Sequence, residues 1–120
     1  MLSQKIKKRF AHTPLIFCPT PLELLPHLSR VYSGEGNSLS LWIKRDDCTG
    51  LGAGGNKARQ LEFYAGEALA QGADTLITTG AIQSNHARMT VAAARKLGMA
   101  CEIQLEHRVA DRPQEYHRSG

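Results

Sequence analysis

The sequence predicts an α/β protein with an open parallel sheet, and three observations support that fold class. Residues 57–105 follow a helical, extended, helical, extended order, which is the order of a parallel sheet whose strands are joined by crossover helices. The first extended stretch is short and rich in β-branched residues and the second is apolar, and strands of parallel sheets are expected to be covered by helices on both faces. Gly72 and Gly98 follow the two helical stretches, where glycine commonly ends a helix. Two strands and two helices cannot cover each other completely, so we expect a partial, truncated sheet.

Periodicity predicts the elements of this second half. A helix is predicted over residues 57–71 because its apolar residues share one face; these are Leu61, Tyr64, Ala65, Ala68 and Leu69. The elements predicted after it are a strand at 75–79, a loop at 80–83, a helix at 85–97 and a strand at 101–105. Residues 106–120 form a polar stretch without a third strand–helix unit.

The first half is predicted to hold shorter elements between turns. Residues 2–10 carry apolar side chains at every fourth position with basic residues between them. This pattern indicates a short amphipathic helix packed on the domain or, alternatively, an organelle-targeting presequence. Four prolines punctuate residues 14–26, and a brief helix is predicted over residues 22–31. The alternating stretch 39–44 predicts a strand.

Composition excludes several classes of protein. At 120 residues the chain allows one modest domain, and no apolar run approaches the roughly 18 residues that span a bilayer. The net charge of +4 comes from dispersed basic residues, so we expect no nucleic-acid partner. The three cysteines include no C-x-x-C pair, and no two histidines form H-x-x-x-H. We therefore expect no metal site and a reducing, cytoplasmic environment.

A glycine cluster leads into a lysine. Residues 50–55 match G-x-G-x-x-G, but the dinucleotide motif needs an acid after the next strand, and Asp74 instead precedes that strand. The phosphate-loop motif fails because Asn56 separates Lys57 from the last glycine and Ala58 follows. Lys57 then lies in the first turn of a helix, whose partial positive charge disfavours an ammonium. Two roles stay open: a solvated lysine, or a nucleophile that forms a Schiff base with a carbonyl group.

A second polar loop joins a predicted strand to a predicted helix. Four consecutive residues, Gln83, Ser84, Asn85 and His86, are polar, and they follow the carboxyl end of a strand, where open α/β sheets bind ligands. In one interpretation Ser84 is an ordinary helix N-cap. In the other, the loop and the N–H groups of the helix start form, with Lys57, a site for a carboxylate or phosphate.

Asp46 and Asp47 also have two interpretations. They form a pair of catalytic carboxylates, or they organise a turn and form ion pairs with Lys44 or Arg45. The basic residues directly before them favour the second interpretation.

Several motifs together resemble one family of pyridoxal-phosphate enzymes. They are Pro19-Thr20-Pro21-Leu22-Glu23, Lys44-Arg45-Asp46-Asp47, Gly54-Gly55-Asn56-Lys57-Ala58-Arg59, Leu61-Glu62-Phe63, Gly72-Ala73-Asp74-Thr75 and Gln83-Ser84-Asn85-His86. The family includes D-cysteine desulfhydrase, 1-aminocyclopropane-1-carboxylate (ACC) deaminase and L-cysteate sulfo-lyase, and it has the tryptophan-synthase-β-like (type II) fold. The resemblance covers about residues 14–119.

The resemblance implies a cofactor and a role for each of five residues. Pyridoxal 5′-phosphate would be bound through a Schiff base to Lys57, which would also shuttle a proton, and Asn56 would support that linkage. Asn85 would bind the phenolic oxygen of the cofactor. Ser84 would hold the substrate carboxylate and assist proton transfer, and Asn85 and His86 would also lie at the substrate.

The implied reaction is α,β-elimination of a β-sulfur-substituted amino acid. D-Cysteine would give pyruvate, sulfide and ammonia, and L-cysteate would give pyruvate, sulfite and ammonia. ACC deaminase is an alternative, although His86 stands where that branch is expected to have glutamine. A non-catalytic fragment is the alternative from another class, because family members are much longer and their phosphate-binding loop has no match here. We therefore expect the 120-residue chain alone to be inactive.

The resemblance also implies a domain division and an assembly. Residues 1–57 would contribute to the large cofactor-binding domain, and residues 58–120 would form an incomplete small α/β domain. The full-length family member would be a homodimer acting on a small amino acid.

Overall fold

The computed structural model describes residues 2–107. Its helices are α1 (Leu2–Arg9), α2 (Pro26–Tyr32), α3 (Lys57–Ala70) and α4 (Asn85–Lys96), and its strands are β1 (Leu22–Leu24), β2 (Trp42–Lys44), β3 (Thr75–Ala81) and β4 (Ala100–Glu106). A 3-10 turn covers Asp46–Thr49. None of the helices described is long and apolar enough to cross a membrane. Nearly all of the predicted polar stretch 106–120 lies outside the described residues.

β3 and β4 form the predicted parallel pair. Their register runs from Thr75 opposite Ala100 to Ala81 opposite Glu106, and α4 is the crossover between them. β3 continues two residues past the predicted 75–79, so the predicted loop is shorter than expected. Gly80 explains the extension, because a Cβ there would lie only 2.8 Å from the Ser84 Oγ atom. Because glycine has no side chain, the end of β3 can lie directly against the start of α4.

The predicted helix over residues 22–31 is wrong in its first part. Leu22–Leu24 is a strand that pairs antiparallel with Trp42–Lys44, because its main chain finds partners about 20 residues further along the chain. The helix begins only at Pro26, whose fixed φ suits the first helical turn.

The predicted strand 39–44 is likewise reduced to its last three residues. For the residues that precede the observed strand, two serine hydroxyls in and directly after α2 accept the main-chain hydrogen bonds that a neighbouring strand would otherwise accept. The Ser33 hydroxyl accepts a hydrogen bond from the Leu39 N–H at 3.0 Å, and the Ser29 hydroxyl accepts one from the Leu41 N–H at 2.9 Å.

The hydrophobic core lies where α3 packs against α4 and the segment after α1. It contains Leu15, Leu51, Ala58, Leu61, Ala65, Met89 and Ala93, each at most 4% exposed. Many of these side chains are small, which lets the two helices approach closely. The core therefore sits directly beneath the first turns of α3 and α4, where the polar motifs of the sequence are found.

Glu62 of α3 holds the segment that follows α1. Its carboxylate accepts hydrogen bonds from the main-chain N–H groups of Leu15 at 2.9 Å and Ile16 at 3.3 Å, and it lies 3.0 Å from the His12 Nε2 atom. The main-chain carbonyl of Glu62 accepts a fourth bond, from the Thr13 N–H at 2.9 Å. Glu62 is only 6% exposed, and a buried carboxylate requires this number of partners.

Parts of the sheet remain uncovered, as the predicted partial architecture requires. Ile77 in β3 is 75% exposed and Leu105 in β4 is 58% exposed. Ile6 of α1 and Phe10 directly after it line an apolar groove of about 410 Å³ together with Phe63 and Tyr64 of α3. The molecule is only 18 Å thick along its shortest axis, so much of its apolar surface has no second layer to pack against.

Candidate active site

Lys57 is the first residue of α3 and follows a tightly wound glycine loop. Gly54 has a φ of +79°, and a Cβ at this position would lie 1.8 Å from the main-chain oxygen of Asp47. The loop is closed by hydrogen bonds from the Gly54 N–H to the Leu51 carbonyl at 2.9 Å and from the Gly55 N–H to the Asp46 carbonyl at 2.8 Å. Only glycine fits such a close main-chain approach, so the loop places the start of α3 at a defined point.

The amine of Lys57 is available for chemistry. The residue is half-buried, and among residues 2–107 its ammonium has neither a hydrogen-bond acceptor nor an ion-pair partner. The first-turn position that the sequence predicted for this lysine is confirmed. A lysine amine with no structural contact of its own is suited to bind a ligand carbonyl.

Asn56 and Asn85 connect the starts of α3 and α4. The Asn85 Nδ2 group donates a hydrogen bond to the Asn56 Oδ1 atom at 3.3 Å. Two of the five residues predicted for the site, Asn56 and Asn85, are therefore in contact although they lie 29 positions apart in the sequence, and Lys57 directly follows Asn56. Each lies at or next to the first residue of a helix.

Ser84 is the N-cap of α4. Its Oγ atom accepts a hydrogen bond from the Ala87 N–H at 3.2 Å, so the N-cap interpretation is confirmed. Ser84 and Asn85 also line a cleft of about 710 Å³ at the carboxyl end of β3, and the other lining residues are Ala53, Ile82, Gln83, Ala87, Arg88, Ile103 and Leu105. Capping and cleft-lining are compatible, because a hydroxyl that accepts one bond still has its own hydrogen to donate.

Three of the five predicted residues stand apart from this cleft lining. Asn56 and Lys57 are not among its lining residues, and the Asn56 side chain is bonded to Asn85, which does line the cleft. The His86 ring turns toward β3, where its Nε2 atom lies 2.9 Å from the Thr78 Oγ1 atom. Residues 83–86 form one polar group in the sequence, but the helical twist after Ser84 places His86 on the face of α4 that packs on the sheet.

Arg88 also lines the cleft, although it was not predicted as a site residue. Its guanidinium donates to the main-chain carbonyl of Gly52, so it ties α4 to the glycine loop. The signal in the sequence was its spacing, because Arg88 follows Ser84 by four residues and therefore shares one face of the helix with it.

The two aspartates form two separate ion pairs. Asp47 bonds Arg45, whose Nε and Nη2 atoms lie 2.9 and 2.7 Å from its carboxylate oxygens, as one prediction for this pair held. The prediction that Asp46 pairs with Lys44 or Arg45 is wrong. Asp46 instead bonds Arg59, with its Oδ1 atom 2.7 Å from Nη2, because the fold brings the first turn of α3 alongside the 3-10 turn. In each pair the arginine hydrogen bond lowers the carboxyl pKa below its usual range.

The charge states of these pairs bear on the catalytic interpretation. A carboxylate held ionised by its own arginine does not share a proton with a neighbouring carboxylate. The arrangement is therefore that of two structural ion pairs. Within residues 2–107 no group of three or more His, Cys, Asp or Glu side chains is placed to hold a metal ion.

Comparisons with known proteins point to one family. The family model described as pyridoxal-phosphate dependent enzyme matches residues 14–117. The chain is 53% identical over 112 residues to a D-cysteine desulfhydrase of Klebsiella pneumoniae and 51% identical over 112 residues to one of Salmonella paratyphi C. Each match covers 93% of this chain and 33% of the relative, so the chain spans about a third of the length of these relatives.

A solved structure gives the same result. A crystal structure of an ACC deaminase homologue matches with a TM-score of 0.73 and 45% sequence identity, over 82% of this chain and 29% of the other. The predicted fold class is thereby confirmed: an α/β fold that forms part of a tryptophan-synthase-β-like architecture.

Proposed function

The chain belongs to the family of pyridoxal-phosphate dependent enzymes, and on that premise we propose that it supplies the lysine-bearing half of the active site of a carbon–sulfur lyase. The proposed substrate is D-cysteine, because the relatives named above are D-cysteine desulfhydrases. The observation that carries the proposal is the placement of Lys57, whose uncommitted amine begins α3 beside the Asn56–Asn85 hydrogen bond.

The residues at this point suit the pyridoxal cofactor. Its aldehyde needs an amine, and Lys57 is half-buried with no partner of its own among the described residues. Its phenolic oxygen needs a hydrogen-bond donor, and the Asn85 amide has two N–H groups, of which Asn56 occupies one. When bound, such a cofactor supplies an electron sink for the electrons released as the substrate Cα–H bond breaks.

Each residue of the chain then has a proposed task. Lys57 would hold the cofactor through its amine and would accept the proton from the substrate Cα atom. Ser84 donates its hydroxyl hydrogen to a substrate carboxylate oxygen, and the first N–H groups of α4 support the same carboxylate. His86 contributes to this group through its main-chain N–H, since its ring is bonded to Thr78.

The proposed reaction balances with one water. D-Cysteine and water give pyruvate, sulfide and ammonia: the Cβ–S bond breaks, sulfur leaves with the bonding electrons, and water replaces nitrogen at the α-carbon. L-Cysteate would react in the same way and release sulfite. ACC deaminase activity is the second candidate, favoured by the 45% identity to the solved ACC deaminase homologue.

We also propose a division of labour within a longer enzyme. Residues 1–57 belong with the cofactor-binding domain, and residues 58–120 belong to the small α/β domain of a cytoplasmic homodimer. The open apolar wall of the cleft, formed by Ile103 and Leu105, supports the view that turnover needs further residues. The 120-residue chain alone is therefore proposed to bind the cofactor without turning substrate over.

The test is borohydride trapping. The chain is incubated with pyridoxal phosphate and reduced, and the labelled lysines are mapped by peptide mass. We expect the label to concentrate on Lys57 and to disappear in Lys57→Ala, with Lys8→Ala in exposed α1 as the matched control. Equal labelling of Lys57 and the α1 lysines would overturn the proposal that a cofactor site exists here.

Substrate class is tested in the same sample. D-Cysteine and L-cysteine react identically with free cofactor, so a difference between them reports on the protein. D-Cysteine added before reduction is expected to lower the Lys57 label more than L-cysteine does. Stronger protection by L-cysteate or by ACC would instead assign the site to the corresponding alternative.

A further inference from the structure

We propose that Asp46 is a positioning residue for Lys57. This inference rests on the proposed function, in which the Lys57 amine is the reacting group. Asp46 holds the chain on both sides of the lysine. Its main-chain carbonyl accepts the Gly55 N–H at 2.8 Å, and its carboxylate accepts the Arg59 Nη2 and Nε groups at 2.7 and 3.3 Å. One residue thus fixes the two ends of the segment 55–59, which carries both Asn56 and Lys57.

The contact to Arg59 is a two-point contact reinforced by a third residue. Two guanidinium nitrogens meet the two carboxylate oxygens, which fixes orientation as well as distance. The Thr20 hydroxyl accepts from the Arg59 Nη2 group at 2.9 Å and donates to the Asp46 Oδ1 atom at 3.2 Å. Thr20 is only 4% exposed, so one member of this ring of three side chains is held in the interior while Arg59 and Asp46 are partly exposed.

This arrangement bears directly on the lysine. Lys57 and Arg59 are the first and third residues of α3, so rotation or fraying of the first turn moves both. A displacement of about 1 Å at a reacting group costs up to about a hundredfold in rate. Holding the first turn from Asp46 therefore keeps the Lys57 amine at one place relative to Asn85.

Asp47 is a matched control within the same chain. It is the adjacent residue, has the same chemistry and also bonds an arginine in a two-point contact. Its partner Arg45 is bonded in turn to Glu23 at 2.8 Å, and none of these three residues belongs to α3. Asp46→Asn and Asp47→Asn remove the same charge from neighbouring positions, but only the first loosens the segment that carries Lys57.

The experiment measures amide hydrogen exchange and Lys57 labelling in both variants of the chain. Exchange in the peptide spanning residues 54–60 does not depend on the cofactor. We expect it to accelerate roughly fivefold in Asp46→Asn, a factor equal to about 1 kcal/mol of local opening, and to stay unchanged in Asp47→Asn. The Lys57 share of the borohydride label, compared with the α1 lysines of the same molecule, is expected to fall only in Asp46→Asn.

Exchange in α4 serves as the internal reference for folding. If α4 also accelerates, the same measurement on Arg59→Lys decides, since that variant keeps the charge and removes the two-point contact; a smaller local effect is expected. Unchanged exchange at 54–60 overturns the proposal, as does faster exchange with an undiminished Lys57 share. If the unsubstituted chain shows no preference for Lys57, the proposed function fails, while the exchange result still decides whether Asp46 holds the segment.

Discussion

Two regions of the molecule contain comparable apolar sequence but differ in packing. The loop–helix region, residues 46–61 together with α4, contains fully buried side chains, among them Thr49, Ala58 and Met89 at 0% exposure. The hairpin region, residues 21–45 with β1, α2 and β2, has no buried residue at all, although it contains Trp42, Tyr32 and several leucines. Apolar composition alone therefore does not build a core.

The difference lies in what each region packs against. In the loop–helix region, small side chains let α3 and α4 meet directly, and glycines let the loop lie against Asp47. In the hairpin region the large side chains form regular local structure but face no second layer. Local structure and burial are thus separable, and the residues proposed for chemistry all lie in or directly beside the region that packs itself.

The largest expected effect comes from breaking the glycine loop. Gly54→Ala places a methyl group 1.8 Å from the Asp47 oxygen at a φ of +79° and should cost about 4 kcal/mol of unfolding free energy in a urea titration. Gly36→Ala in the hairpin region has a similar φ of +86° with nothing within 4 Å, so it should cost about 1 kcal/mol. Equal losses would show that backbone strain, and not crowding, controls both sites.

The next effect tests burial directly. Met89→Ala empties a position with no exposure in the core and should cost about 3 kcal/mol. Val31→Ala in the hairpin region, where the side chain is 61% exposed, should change stability by less than about 0.5 kcal/mol. Thermal unfolding of the two variants measures the contrast, and a large loss from Val31→Ala would mean that the hairpin region is packed in solution.

A smaller effect separates the helix starts of the two regions. α4 begins with a Ser84 side-chain cap, whereas α2 begins at Leu25 with no side-chain bond. Ser84→Ala should cost about 1 kcal/mol, and Leu25→Ala should leave the start of α2 unaffected because no cap is lost. Amide hydrogen exchange in the first turns of α2 and α4 would measure both effects. If the exchange rate in the first turn of α4 is unchanged in Ser84→Ala, Ser84 does not stabilise the start of that helix.

The smallest effect is a dependence on pH. Because Arg59 lowers the Asp46 pKa below its ordinary value of 3.8, the folded state binds this proton less readily than the unfolded state. The resulting stabilisation is complete above pH 3.8 and is lost as the pH falls through the lower folded value. Thermal midpoints measured from neutral pH into this acid range should decline less steeply in Asp46→Asn than in the unsubstituted chain.

Asp47 provides a control for the pH dependence that is predicted for Asp46. Its carboxyl pKa is also lowered, by Arg45, but its side chain is 59% exposed, against 28% for Asp46. Solvent screening reduces the contribution of the more exposed pair. Asp47→Asn should therefore reduce the decline of the thermal midpoint at acid pH less than Asp46→Asn does. The reverse order would contradict the difference in exposure between the two pairs.

Sequence reasoning predicted the second half of the fold well. α3 and α4 each repeat the helical period and are followed by Gly72 and Gly98, and β3 and β4 are short extended runs, so the information lies within each element. β1 was missed because Leu22–Leu24 is a strand only through its pairing with β2. Three residues offer no period to recognise, and their partner lies about 20 residues away.

The site was predicted in part for the same physical reason. Lys57 and Ser84 follow from helix starts, which are local signals. The bond between Asn56 and Asn85 joins residues 29 positions apart, and the pair of Asp46 and Arg59 joins residues 13 positions apart. Such contacts are determined by how α3 and α4 pack, and charge spacing along the chain assigned Asp46 the wrong partner.

The Glu62 anchor has a consequence for how this sequence can diverge. Its carboxylate and carbonyl bind the segment after α1 mainly through the main-chain N–H groups of Thr13, Leu15 and Ile16. Every amino acid except proline has that group, so drift at Thr13 and Ile16 leaves the attachment intact. Position 62 is more constrained, because a shorter or uncharged residue there would lose the carboxylate bonds to Leu15 and Ile16 and keep only the main-chain bond to Thr13.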